Sequence, residues 1–461
     1  MVLFGVMTSE NSEVPTHERE SSFIRTAFQE RLAWKEAKAG IVPAEQLAPE
    51  ERPRQYDQLR EMIGNTPVLG WEGPQGSLIL VKVESQNPSE SHYDRLYVNT
   101  LQRLEEDGVI EPGDELWDVT SGSAGISLAW LAERLGYKTR IFAPPELPAA
   151  RAQEIMNFGA QLSISEPGYI PAAVEAMQRA RKQLRELGYE SDREITDDYD
   201  VHLRRKGERR ICLLNHPNNL LSVKSFAEVG REVNRFLPPE VTLDHFVSVL
   251  GNWTSTIGIS NGLQERFPDL SVIGVEDTRN PAWFVKKHPG RYEQRCGHPP
   301  VFATHDSYGA SYEGVDIKFA DLDRLDEIRL ADPHSRDLML SELNASRPLS
   351  ETFGNTSASA ILKAHHVAEA NPQSVILAIA YDKADRYGEP TLAEGVNIPV
   401  LVNTRQCVPD YPADLPERLA EVGRGRMRSA PTQTMFGDAR PVVAGKHPWP
   451  YRWWSDYHNV A

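Results

Sequence analysis

The sequence predicts an α/β protein of two lobes with mostly parallel sheets, extended at both ends. Three observations carry this. Strand and helix signals alternate from Leu78 to Ala380. The strand segments are continuous apolar runs, as parallel strands buried on both faces require. A polar stretch near 188–210, rich in Asp, Glu, Arg and Tyr, splits the alternation into two runs.

The elements follow in order. LILVKV at 78–83 reads as a strand and 97–106 as a helix. Residues 116–119 form a short strand. SLAWLAERL at 127–135 is a helix stopped by Gly136, a residue suited to the left-handed position after a helix. KTRIFA at 138–143 is a strand ended by Pro144-Pro145. Helix 149–158, strand 161–164 and a long helix 172–187 complete the first run. The second run holds strand 245–250, helix 257–266, strand 271–275, helix 357–369 and strand 374–380. Residues 1–57 read as a leading arm, 58–395 as the core with a small lobe near 97–190, and 396–461 as an extension. Proline recurs in that extension, and HPWPYRWW at 447–454 concentrates tryptophan. Such aromatic residues are expected to dock the arm onto the body or onto a second subunit.

Composition narrows the function. Of 461 residues, 40 % are hydrophobic, enough for a sizeable core. Acidic residues outnumber basic ones 66 to 50, for a net charge of −16, which argues against nucleic acid or an anionic membrane as partner. The longest apolar run, 375–381, is too short to span a bilayer. Met1–Met7 has no basic start, so no signal peptide is expected. The 3 cysteines lack CxxC spacing and fit reduced thiols in a cytoplasmic protein, without structural zinc. No metal site is expected. His365 and His366 point to different helix faces, Cys296-Gly297-His298 reads as a loop, and the acidic run from Glu186 to Asp200 reads as a solvated face.

Ligands of open α/β sheets sit where strands end and helices begin. The turn after 116–119 reads Thr120-Ser121-Gly122-Ser123-Ala124-Gly125, with hydroxyls and backbone N–H groups suited to a carboxylate or phosphate. Around it stand Ile63-Gly64-Asn65-Thr66-Pro67, then Asn87-Pro88-Ser89-Glu90-Ser91-His92-Tyr93-Asp94-Arg95, then Gly108–Gly113. Leu135–Lys138, Arg151 and Phe158-Gly159-Ala160 follow. Later come Asn215–Asn219, the strand–turn–helix at 246–261, and Asp382-Lys383-Ala384-Asp385-Arg386-Tyr387. In order and spacing these blocks resemble the cysteine synthase and cystathionine β-synthase family. Its members are fold-type II pyridoxal-phosphate (PLP) enzymes, related more distantly to the tryptophan synthase β chain. The likeness covers roughly 58–395 and implies a homodimer.

The resemblance also marks departures. In that family the segment after Asn-Pro carries the lysine that forms an imine with PLP; here Tyr93 holds the position, and a phenol cannot form an imine. The family's asparagine in the small-residue turn is Ser123. Its glycine-rich phosphate loop becomes Gly251-Asn252-Trp253-Thr254-Ser255-Thr256, with one glycine and an indole in the middle. The position facing the pyridine nitrogen falls on Lys383 or Asp382. Losing three or more charge-assisted bonds of about 1.5–3 kcal/mol each costs several decades of affinity. PLP is therefore implied by the resemblance but expected to be lost or held atypically.

Thr120, Ser121, Gly122 and Ser123 match the turn that holds the substrate carboxylate in that family, so a small amino-acid-like ligand is expected there. Two readings follow. One is a cofactor-free binding protein or partner subunit of another enzyme. The other is an active enzyme of amino-acid metabolism, a lyase or transferase, with Tyr93 as acid/base or PLP held unusually. Tyr93 either plugs the vacated cavity or acts catalytically. Trp253 either fills space or stacks a ligand. Lys383 and Lys224 are candidate amines, and Lys383 alternatively pairs with a neighbouring carboxylate.

Overall fold

The computed structural model of the chain describes residues 16–191, 200–203, 208–311, 313–345, 352–388 and 452–453. Helices α1 (Thr16–Ala39) and α2 (Arg52–Met62) lead into strands β1 (Val68–Glu72) and β2 (Leu78–Val83). Next come α3 (Tyr93–Glu106), β3 (Glu115–Val119), α4 (Ser123–Leu135), β4 (Lys138–Ala143), α5 (Ala149–Asn157), β5 (Gln161–Ile164) and α6 (Tyr169–Glu186). Strands β6 (Glu190–Ser191), β7 (Asp200–Leu203) and β8 (Ile211–Leu213) precede α7 (Leu220–Phe236), β9 (His245–Val249), α8 (Thr254–Gln264) and β10 (Ser271–Asp277). The chain continues through α9 (Phe284–Lys287), α10 (Arg291–Cys296), β11 (Glu327–Ala331), α11 (Pro333–Asn344), α12 (Asn355–Ala370), β12 (Val375–Ala380) and β13 (Arg452–Trp453).

The strands form two sheets. The larger runs β11-β10-β9-β12-β2-β1-β13; it is parallel from β11 to β2, and β1 and β13 add on antiparallel. The smaller runs β5-β4-β3-β8-β7-β6; it is parallel from β5 to β8 and antiparallel beyond. The α/β class with mostly parallel sheets therefore holds. The small lobe is larger than the sequence suggested: β8 lies beside β3, so that sheet runs on to Leu213 and does not stop near residue 190. The segment that reads as a polar divider contributes β6 and β7, of which β6 is the sheet edge, where polar residues are favoured.

Helix α7 is absent from the sequence reading. It packs on α8 at close range. A Cβ at Gly230 would lie 2.4 Å from the carbonyl oxygen of Ile259, and one at Gly262 would lie 2.1 Å from that of Ala227. Backbone meeting backbone needs bare glycine on the contact line. The leading arm belongs to the body, since Phe28 and Leu32 on α1 and Tyr56 and Leu59 on α2 are buried in the main core. Of the Trp-rich end only Arg452–Trp453 falls among the described residues, where Trp453 pairs with Leu69 and Arg452 with Gly70. Cys212 is buried, and Cys296 is disulfide-bonded, which corrects the expectation of reduced thiols throughout. Among the described residues no helix is long and apolar enough to cross a membrane.

Candidate functional site

The N-termini of α3, α4 and α8 and the end of β12 converge on one cleft, open to solvent. Each of these helix starts leaves backbone N–H groups without helical partners, so the cleft collects anion-binding ends from both sheets.

The α3 wall begins with the Ser91-His92-Tyr93 turn, and all three residues line the cleft. The residues that follow are architectural. Asp94 accepts hydrogen bonds from Ser89 N at 2.7 Å and from the hydroxyls of Ser89 and Ser127, so it locks the turn onto α4. Burial lifts its carboxyl to about 6 against those bonds. Arg95 pairs with Glu84 at 2.7 Å and Glu232 at 2.6 Å, inside the protein. Thus Asp94 and Arg95 hold the turn whatever stands at 93. The Tyr93 ring is edge-on to His216 and Phe226. Burial first, then the Asp118 and Tyr381 side chains, push its phenol well above the ordinary tyrosine range, so it stays protonated.

In the α4 turn, Thr120 is buried and turned inward. Its Oγ1 accepts from Gly122 N at 2.9 Å and Gly125 N at 3.2 Å, closing the helix start. It shapes the turn and does not face the cleft. Ser121 and Ser123 do line it. Gly122 has φ of 134° and leaves room for Arg151, whose Cδ would lie 2.2 Å from a Cβ there. Only glycine satisfies both demands.

Arg151 is the buried hub. Its guanidinium donates to Asp382 Oδ2 at 2.9 Å, to the Ser121 carbonyl at 3.1 Å and to the Arg386 carbonyl at 2.8 Å. The rings of Tyr308 and Tyr387 lie 5.3 and 4.8 Å from it. Asp382 also meets the Tyr387 hydroxyl at 2.9 Å and the Ser123 hydroxyl at 3.4 Å. Burial raises the Asp382 carboxyl above its ordinary value, and Arg151 opposes that. Of the two sequence candidates after β12, Asp382 lines the cleft. Lys383 does not: its Nζ donates to Glu90 Oε1 at 2.5 Å in a buried pair, which corrects its placing as a cleft amine. Lys224 is exposed on α7, away from the cleft.

The loop before α8 is divided. Gly251, Asn252 and Ser255 line the cleft. Trp253 is buried at φ of 68°, its indole edge-on to Trp283 at 5.2 Å, so it fills the interior and offers no face to a ligand. Thr254 bonds Asn252 Oδ1 through both N and Oγ1, and Thr256 pairs with Ser248. Sequence reasoning gave no role to Arg151, His92, Tyr308, Thr356 or Tyr381, all of which line the cleft. Arg151 and His92 stood inside recognisable blocks. Tyr308 lies in a stretch without periodicity and gave no signal.

Residues 59–382 match the model of a family described as pyridoxal-phosphate dependent enzymes. The chain belongs to that family. Cysteine synthase B of Escherichia coli is 27 % identical over 354 residues, spanning 74 % of this chain and 99 % of that protein. Cysteine synthase B of Pseudomonas aeruginosa is 26 % identical over 349 residues, spanning 75 % and 99 %. Among solved structures, a hydrogen sulfide-producing enzyme of Fusobacterium nucleatum superposes with a TM-score of 0.58 at 21 % identity, covering 72 % of this chain and 90 % of that one. The O-acetylserine dependent cystathionine β-synthase of Helicobacter pylori gives 0.55 at 22 %, covering 71 % and 95 %. The chain is a cysteine synthase-like member of the PLP family, and the structural likenesses show its fold. Covalent attachment of PLP needs an amine. Among the described residues no lysine lines the cleft, and Tyr93 supplies a phenol. The residues present therefore do not fit a covalently held PLP, and no chemical step is derived through it.

Proposed function

We propose that this PLP-family protein binds a small amino-acid-like carboxylate in the cleft without forming a lysine imine. The observation that carries the reading is the composition of the cleft wall. It has hydroxyls, an amide side chain and helix starts, a protonated phenol at 93 and, among the described residues, no amine. Ser121, Ser123 and the start of α4 supply donors for a carboxylate, with Thr120 and Gly122 fixing the turn behind them. The charged lining residues, Arg151 and Asp382, neutralise each other, which suits a zwitterion better than a phosphate dianion. A general-base role for Tyr93 is disfavoured, because a phenol held protonated at neutral pH has no lone charge to accept a proton with. By family likeness we extend the proposal to a homodimer.

The visible spectrum of purified protein, with and without added PLP, tests this beside a Tyr93→Lys variant. We expect no cofactor band in the wild type and none retained after borohydride reduction, with a band gained by the variant. A borohydride-stable PLP adduct on one lysine of the wild type would overturn it.

A further inference from the structure

His92 stands at the rim of α3 immediately before Tyr93. Its side chain is 6 % exposed and lines the cleft. Nδ1 is buried without a hydrogen-bond partner. The ring's neighbours are aromatic: Tyr93 at 4.1 Å, Phe226 at 5.0 Å and Tyr381 at 5.3 Å between centroids. Burial first, with His216 and Arg95 nearby, lowers its pKa to about 3 against the pull of Glu84, so the ring is neutral at physiological pH. A neutral imidazole always carries one nitrogen that can accept a hydrogen bond. A buried ring nitrogen with no protein partner is destabilising unless something else supplies one. An apolar or aromatic residue would pack among Tyr93, Phe226 and Tyr381 without that cost. The retained imidazole therefore points to a ligand group.

We propose that His92 is a recognition residue of the cleft, accepting a hydrogen bond from the ammonium group of a free α-amino acid. This rests on the carboxylate reading above and deepens it. The α4 turn selects for the carboxylate, and His92 selects for the amine. The amine stays unmodified, since no carbonyl reacts with it. The Tyr93 phenol, a donor only while protonated, complements the imidazole, so the two residues offer an acceptor and a donor side by side.

The test compares L-alanine with propionate, which has the same carboxylate and methyl group but no amine. Binding is measured by calorimetry at pH 7.5 on the full chain, wild type and His92→Phe, with His92→Gln as a second variant that keeps an acceptor. We expect the wild type to prefer L-alanine. His92→Phe should lose about tenfold in that preference, about 1.4 kcal/mol, while its thermal midpoint stays level or rises. His92→Gln should recover part of the preference. An alanine-to-propionate ratio unchanged in His92→Phe overturns the role of His92 and leaves the carboxylate reading standing. Failure of the wild type to bind either compound overturns both. If His92→Phe does not fold, His92→Ala takes its place under the same criterion: a lowered alanine-to-propionate ratio supports the role of His92, and an unchanged ratio overturns it.

Discussion

Lys383 Nζ and Arg31 Nη2 share one carboxylate oxygen, Glu90 Oε1, at 2.5 and 2.7 Å. Glu90 therefore ties the leading helix α1, the turn before α3 and the segment after β12 into one buried ionic knot. Its own backbone sits in the left-handed region, at φ of 62°. Arg386 adds to the knot through the Ser89 carbonyl at 2.6 Å and through Glu154. The knot explains why a lysine next to the cleft contributes nothing to it: a desolvated ammonium is held where a carboxylate compensates it.

Breaking the knot from its acidic side leaves two cations short of a partner. Glu90→Gln should cost about 3–5 kcal/mol, as for other buried pairs that lose one member. Urea denaturation at pH 7 measures this. A cost below about 1 kcal/mol would show that the knot is well hydrated.

The same carboxylate gives stability a pH dependence. Burial pushes the Glu90 pKa up, but Lys383, Arg386 and Arg31 outweigh it and bring it from 4.5 down to about 2. A group whose folded pKa is depressed stabilises fully above its unfolded value and loses that contribution as pH falls through the folded one. The Glu90 contribution should thus be complete above about pH 4.5 and fade toward pH 2. Glu90→Gln should flatten that stretch of the acid denaturation curve. An unchanged slope would place the acid-sensitive charge elsewhere.

Gly251 fixes how closely the α8 loop approaches the strip opposite. A Cβ there would lie 2.0 Å from the carbonyl oxygen of Gly309, and both residues line the cleft. The obstacle is backbone, which cannot rotate away as a side-chain tip would. Gly251→Ala should therefore cost about 1–3 kcal/mol by overpacking, and should weaken binding of the cleft ligand by widening the gap at Gly309. Normal stability with normal affinity would mean that the two loops are free to part.

The sequence was legible where a residue's type determines its place. The alternation of strand and helix, the Asn-Pro turn and the α4 turn appeared where expected because apolar runs and small hydroxyl residues have few alternatives there. Asp382 and Lys383 were not separable. Neighbouring residues past a strand end point in different directions, and only the partner Glu90, 293 residues away along the chain, decides which faces the cleft. Arg151 was visible as part of a block, but its role depends on Asp382 and the Ser121 carbonyl, contacts that no spacing in the sequence encodes.

Trp253 combines a large buried side chain with a backbone that favours glycine. The indole is 1 % exposed and φ is 68°. Truncation should be costly, about 3–5 kcal/mol for Trp253→Ala, because a cavity opens beside Trp283. The backbone acts in the opposite direction. Left-handed geometry costs a residue with a Cβ about 1–2 kcal/mol, and glycine escapes that. Trp253→Gly should therefore be more stable than Trp253→Ala by about 1 kcal/mol, although it removes one more carbon and loosens the unfolded chain. Parallel urea titrations of the two variants check the order. If Trp253→Ala proves the more stable, the loop relaxes out of the left-handed region once the indole is gone, and the indole itself is what holds the backbone there.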